Sequence, residues 1–199
     1  MSSAPWILDS SDEPTSSGVP HGKLGMWVFL ASEVMLFGSL ISSYIVLRLG
    51  SPLFVIPSHE MLSVPVAAMN TFVLIVSSVT MVMALAAIQE DNRKAMIGYM
   101  LATILCGLIF LAVKTWEYPH KWHEGITIQS GLFGSFYFTM TGLHGLHVLG
   151  GLGFNTYILI QGIKGKWSSR HCERVEYAGI YWHFVDLVWV VLFPLLYLL

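Results

Sequence analysis

The sequence predicts an all-α integral membrane protein, a single bundle of five transmembrane helices. Three observations carry that prediction. Of its 199 residues 55% are hydrophobic and only 11% are charged, where an ordinary soluble domain carries about 25% charged residues; a soluble fold would run out of polar exterior. Mean hydropathy is +0.66. The apolar residues also gather into five stretches of 20 to 29 residues, long enough to cross a hydrocarbon core about 30 Å thick and too long for barrel strands of about 10 residues. A net charge of −2 with no basic block removes nucleic-acid binders, and the composition removes disorder and collagen-like structure.

Residues 1–22 are rich in Ser, Pro and Asp and lack a basic start followed by an apolar run, so they read as a polar cytoplasmic tail rather than a cleavable leader. Residues 23–199 form the single five-helix domain. Its spans are expected at about 24–49, 64–88, 95–114, 132–160 and 177–199. Gly50, Pro52 and Pro57 break the first loop, Pro119 and Gly125 the third, Gly162 and Gly165 the fourth; the second, 89–94, is a tight charged turn. Lys23, Arg93, Lys94, Lys164, Lys166, Arg170 and Arg174 belong to one side, Arg48, Lys114 and Lys121 to the other. That division of seven against three places the N-terminus in the cytoplasm and the C-terminus outside. Cys106 in an apolar run and Cys172 in a polar loop make no disulfide framework.

An ionisable side chain inside a membrane costs about 2.5–3.5 kcal/mol on insertion scales, so each needs a reason. Glu33 lies nine residues into the first span, roughly 14 Å deep at 1.5 Å per residue. It must be protonated, hydrogen-bonded or facing a polar cleft, and it is the candidate proton-exchanging carboxyl. His144 and His147 in the fourth span, and His183 and Asp186 in the fifth, are i,i+3 pairs that each share a helix face. Gly142, Gly145, Gly150, Gly151 and Gly153 beside the first pair would let helices approach closely. A polar interhelical network of Glu33, Asn70, His144, His147, Glu176, His183 and Asp186 would satisfy these groups without water.

The rival reading is a metal or haem centre. Glu117 and His120 have the Glu-x-x-His spacing of di-iron bundles, but that motif needs a second copy, and these residues fall in the Pro-containing third loop. His144 or His147 with His183 would have to supply axial haem ligands. No metal ligands are assigned, and the ten methionines show no ligand spacing. A transporter reading lacks an internal repeat and broken helices.

The run GLFGSFYFTMTGLHGLHV (131–148), followed by Glu176 and YWHFVDLVW (181–189), resembles subunit III of the haem–copper oxidases. The first span, GMWVFLASEVMLF (25–37), resembles that family's helix bearing a membrane-embedded carboxylate, and Asn70-Thr71 and Trp116-Glu117-Tyr118 fall where the family carries similar residues. The resemblance implies an accessory subunit with no metal or haem of its own. Such a subunit packs against subunit I, which holds haem a and copper, with subunit II and other respiratory subunits nearby. It binds phospholipid and supports proton uptake during oxygen reduction by a proton-pumping oxidoreductase in a bacterial cell membrane. Glu33 matches the family's carbodiimide-reactive carboxylate. Many members have seven spans, and this chain lacks the first two. Where the family often holds a lipid phosphate with Arg at the end of the fourth span, this chain has Gln161, with Lys164 and Arg170 further on as possible headgroup contacts. Glu rather than Asp at position 33 implies an aa3-type cytochrome c oxidase; the alternatives are subunit III of a quinol oxidase or, in a different class, a stand-alone membrane metal or haem protein.

Overall fold

A computed structural model describes residues 21–55, 63–165 and 172–198. Five helices run along it: α1 His21–Gly50, α2 Val64–Gln89, α3 Arg93–His123, α4 Leu132–Ile163 and α5 Cys172–Phe193, the last continued by a π-helical turn Pro194–Leu198. All five are long and apolar enough to cross a membrane. The predicted tail up to residue 20, and Lys166 and Arg170 of the fourth loop, lie outside the described residues.

Each span lies where the hydropathy places it, but three boundaries move. α3 runs nine residues past the expected end at 114, straight through Pro119. A membrane-spanning helix tolerates a proline whose freed backbone group finds another partner, so Glu117 and His120 belong to a helix and not to a loop. Cys172 likewise begins α5 rather than lying in a loop. The second loop contracts to three residues. Glu90 closes α2, Asp91 takes a left-handed φ of 55°, and the Asn92 amide donates back to the Ala87 carbonyl at 2.8 Å, closing the helix end as in a Schellman motif. The Asn92 side chain then accepts from the Ala95 amide at 3.2 Å and starts α3. This turn does more than stay solvated. Arg93 donates from Nε to the Gly162 carbonyl at 2.6 Å and from Nη2 to the Ile163 carbonyl, meeting two of the carbonyls that the end of α4 leaves without intrahelical partners.

Helices α2 to α5 form a closed ring of packed pairs: α2 on α3, α3 on α4, α4 on α5 and α5 back on α2. The core sits inside that ring, with Trp182 and Trp189 among its largest fully buried side chains. Trp182 fills a slot between two glycines. A Cβ on Gly107 of α3 would come within 2.8 Å of its ring, and one on Gly151 of α4 within 2.8 Å as well. Gly151 therefore meets the close-approach expectation, but Gly145 and Gly153 do not, because a Cβ on either would meet nothing within 4 Å. α1 lies outside the ring, against α4 and α5, and buries only Phe37 and Tyr44 fully.

Candidate functional site

Three clusters of polar side chains contain the ionisable residues Glu33, Asp186 and Glu117 inside the bundle. The first joins α1 to α4. His147 Nε2 lies 2.8 Å from Glu33 Oε2, and both side chains are partly buried. His147 Nδ1 lies 2.8 Å from the Leu143 carbonyl one turn back. A carbonyl can only accept, so Nδ1 carries its hydrogen. The Nε2 contact then needs one more proton, either on the imidazole facing a carboxylate or on the carboxyl facing a neutral ring. In both forms the pair is neutral overall, which is how an acid near the middle of a 30-residue apolar helix is tolerated. Phe37 packs edge-on against the His147 ring at 5.2 Å, and Tyr181 of α5 donates to the His147 carbonyl at 2.9 Å.

A second cluster joins α2 to α5. Ser78 Oγ is 2.7 Å from His183 Nδ1. Ser77 receives the Trp182 indole at 3.0 Å and reaches Asp186 Oδ2 at 3.4 Å. About two turns along, Thr71 receives the Trp189 indole at 2.9 Å, and Asn70 donates to the Phe110 carbonyl of α3 at 3.3 Å.

The third cluster is the most buried and contains residues that the sequence reading did not single out as a site. Lys114 Nζ donates to Glu117 Oε2 at 2.8 Å and to Tyr197 Oη at 2.6 Å. Glu117 Oε1 accepts from Tyr137 at 3.0 Å and from Tyr197 at 2.8 Å. The ammonium also sits 4.6 Å from the centre of the Trp189 ring, a cation–π contact. Lys114 and Glu117 are 6% and 2% exposed, so α3, α4 and the terminal π turn are joined by an ion pair with no open side. One signal could have found it: an opposite-charge i,i+3 pair at the end of an apolar run.

The single expected network is therefore corrected. Glu33 and His147 meet each other but neither His183 nor Asp186. His144 is fully buried between Phe110 at 5.6 Å and Trp189 at 5.0 Å, and neither ring nitrogen has a hydrogen-bond partner among the described residues. An i,i+3 spacing puts two side chains near one face, yet a turn of about 300° over three residues leaves one pointing inward and its neighbour toward α1. Glu176 pairs with Lys23 at 3.0 Å, tying the start of α5 to the start of α1. Gln161 is half-buried, with its Oε1 unpartnered among the described residues, and Lys164 is exposed at the end of α4. Glu117 and His120 point apart, the first into the ion pair and the second against Trp116 at 4.8 Å. Among the described residues no three His, Cys, Asp or Glu side chains converge as a metal site.

With this geometry in view, comparison with known proteins places the chain. Residues 3–199 match the family described as cytochrome c oxidase subunit III. Similar relatives include a probable quinol oxidase subunit 3 of Staphylococcus saprophyticus and one of Staphylococcus haemolyticus, each 32% identical over 177 residues, 89% of this chain and 88% of the relative. A probable quinol oxidase subunit 3 of Staphylococcus aureus is 31% identical over the same extent. The chain belongs to the cytochrome c oxidase subunit III family and is a multi-pass membrane protein with bacterial relatives.

Proposed function

From that membership we propose that the chain is the accessory subunit III of a quinol oxidase, packing beside the catalytic subunit and supporting its proton uptake. The supporting observation is similarity along nearly the whole chain to subunits named for quinol oxidases. It weighs against the cytochrome c donor that Glu33 alone implied, because one acid among 199 residues carries less information than 177 aligned ones. The haems and copper belong to the partner subunits in this reading. The N-terminus faces the cytoplasm, and phospholipid headgroups lie against the exposed Lys164 and Lys94.

The Glu33–His147 pair is the chemistry this chain would contribute. It holds one proton between two acceptors, near the middle of a helix that touches the rest of the bundle on one side only. Such a pair can give up or take a proton by changing its net charge, which a fully enclosed ion pair cannot do without burying an unpaired ion.

Purification through a tag on this chain in mild detergent tests the assignment. The expected result is haem and copper on larger co-purifying polypeptides, with oxygen consumption driven by a quinol and not by reduced cytochrome c. Turnover with cytochrome c alone would overturn the donor assignment. A lone 22.2 kDa chain carrying its own haem would overturn the accessory role.

A further inference from the structure

Between α3 and α4, in the half of the bundle nearest the 124–131 loop, lies a cavity of about 540 Å³ whose walls are almost wholly apolar. Its volume falls within the range of small-molecule sites. Its α4 wall carries Phe138, Thr141, Leu146 and Leu149, and between them Gly142 and Gly145 leave the space open. A Cβ on Gly145 would meet nothing within 4 Å, and one on Gly142 would meet only the Tyr118 hydroxyl, at 3.9 Å.

Around Tyr118 and Thr115 the polar atoms on its walls form a one-sided set. Thr141 spends its hydroxyl hydrogen on the Tyr137 carbonyl at 2.6 Å, so in the 2.8 Å contact between Tyr118 and Thr141 it is Tyr118 that donates. The Tyr118 oxygen is left with lone pairs only. Thr115 spends its hydrogen on the Leu111 carbonyl at 2.8 Å and is left the same way. Pro119, which also lines the cavity, has no N–H to give the Thr115 carbonyl four residues back. Lys114 borders the space, but its ammonium is engaged inside the bundle by Glu117 and Tyr197. The lining's indole donor, on Trp122, stands one turn nearer the helix end on a ring 61% exposed.

We propose that this cavity binds a bilayer-soluble amphiphile whose polar end donates hydroxyl hydrogen bonds while its tail lies along the apolar wall. Around Tyr118 and Thr115 the wall offers acceptors, with the Trp122 indole a turn away, so the polar end that fits there is an O–H rather than a carbonyl or ester oxygen. A p-hydroquinone and its quinone share ring and tail and differ in their hydroxyl donors, so this couple reads the selection directly. A lipid with a glycerol headgroup offers the same donors from a second source. The cavity's chemistry stands apart from the electron donor of the complex, since the same acceptors would line it beside a cytochrome c oxidase.

The complex purified through this chain is irradiated with a decyl-benzoquinol bearing a diazirine on its tail, in the reduced and the oxidised form, and labelled peptides are mapped by mass spectrometry. Labelling of α3 and α4 about fivefold stronger for the reduced probe is expected, the difference that one hydrogen bond makes. Gly145→Phe, which projects into open space, abolishes it. Tyr118→Phe keeps the ring and leaves Thr141 satisfied by Tyr137, yet removes one of the acceptors and narrows the preference for the reduced probe. Equal labelling by both forms, or labelling indifferent to Gly145→Phe, overturns the proposal. Competition assigns the source: displacement by unlabelled quinol names a quinol, and displacement by phosphatidylglycerol but not phosphatidylcholine names a hydroxylated lipid. Displacement by phosphatidylcholine, which has no hydroxyl, overturns the selectivity.

Discussion

The Lys114–Glu117 and Glu33–His147 pairs of this bundle have opposite surroundings. Glu117 accepts hydrogen bonds from Lys114, Tyr137 and Tyr197, drawn from α3, α4 and the terminal π turn, and none of its oxygens faces outward. Among the described residues Glu33 hydrogen-bonds His147 alone, on one neighbouring helix, at the edge of the ring of α2 to α5. An ion pair held from three directions has a single arrangement, and removing one member strands a charge. A pair held from one direction and sharing one proton has two protonation arrangements and little packing that depends on either. Burial alone therefore does not tell the two acids apart; the number and direction of their partners do.

Breaking the core pair should have the largest effect. Glu117→Ala leaves the Lys114 ammonium buried without its carboxylate, which costs about 3–5 kcal/mol, and the thermal unfolding midpoint in detergent should fall by roughly 10 °C. The double replacement Lys114→Met with Glu117→Leu should recover most of that loss. Tyr137 and Tyr197 can still bond each other at 2.8 Å, and apolar isosteres often match a buried pair. A double variant as unstable as the single one would mean that the tyrosines, and not the charges, hold the π turn.

Intermediate in size is the slot for Trp182. Gly151→Val forces the indole away from a wall it already touches, and overpacking of this kind costs about 1–3 kcal/mol. Equal destabilisation by Gly145→Val would contradict the different surroundings of the two glycines. Smaller again is Arg93→Ala, which frees the last carbonyls of α4 and should cost about 1 kcal/mol; hydrogen exchange should rise in the last turn of α4 and nowhere in α5.

The smallest stability change belongs to the peripheral pair. Glu33→Gln keeps a donor facing His147 Nε2 and should shift stability by less than about 1 kcal/mol. It should nevertheless abolish labelling by a hydrophobic carbodiimide, and slow proton uptake during turnover of the assembled complex. A loss of stability as large as that of Glu117→Ala would erase the contrast between the two pairs.

Much of the architecture was legible because hydropathy is a local property. An apolar run of 20 or more residues becomes a spanning helix whichever neighbours it meets, since backbone groups in lipid must bond within the segment. The places where the reading failed were those where a local rule met a tertiary partner. Pro119 reads as a helix end, yet α3 continues beyond it because the residues on either side, Lys114, Glu117 and Lys121, are anchored inside the bundle. Lys114 and Lys121 read as loop cations that report sidedness, whereas each is buried and paired with an acid three residues further on. His144 and His147 read as equivalent, but one packs between aromatic rings and the other meets Glu33.

By itself the amino-acid sequence determined the membrane as solvent, the count and approximate limits of the spans, the family, and the presence of an acid that apolar surroundings do not readily accept. Each of those depends on composition along a short window, where about 1.5 Å per residue and a hydrocarbon thickness set the answer. Only the tertiary structure decided which acid meets which base, which glycine receives a tryptophan and which is left facing open space, and where hydroxyl hydrogens are spent. Those outcomes depend on the rotation of each helix about its own axis. A rotation of 100° per residue is common to all five sequences, but its phase relative to a neighbour is set by packing between segments that lie far apart in the chain.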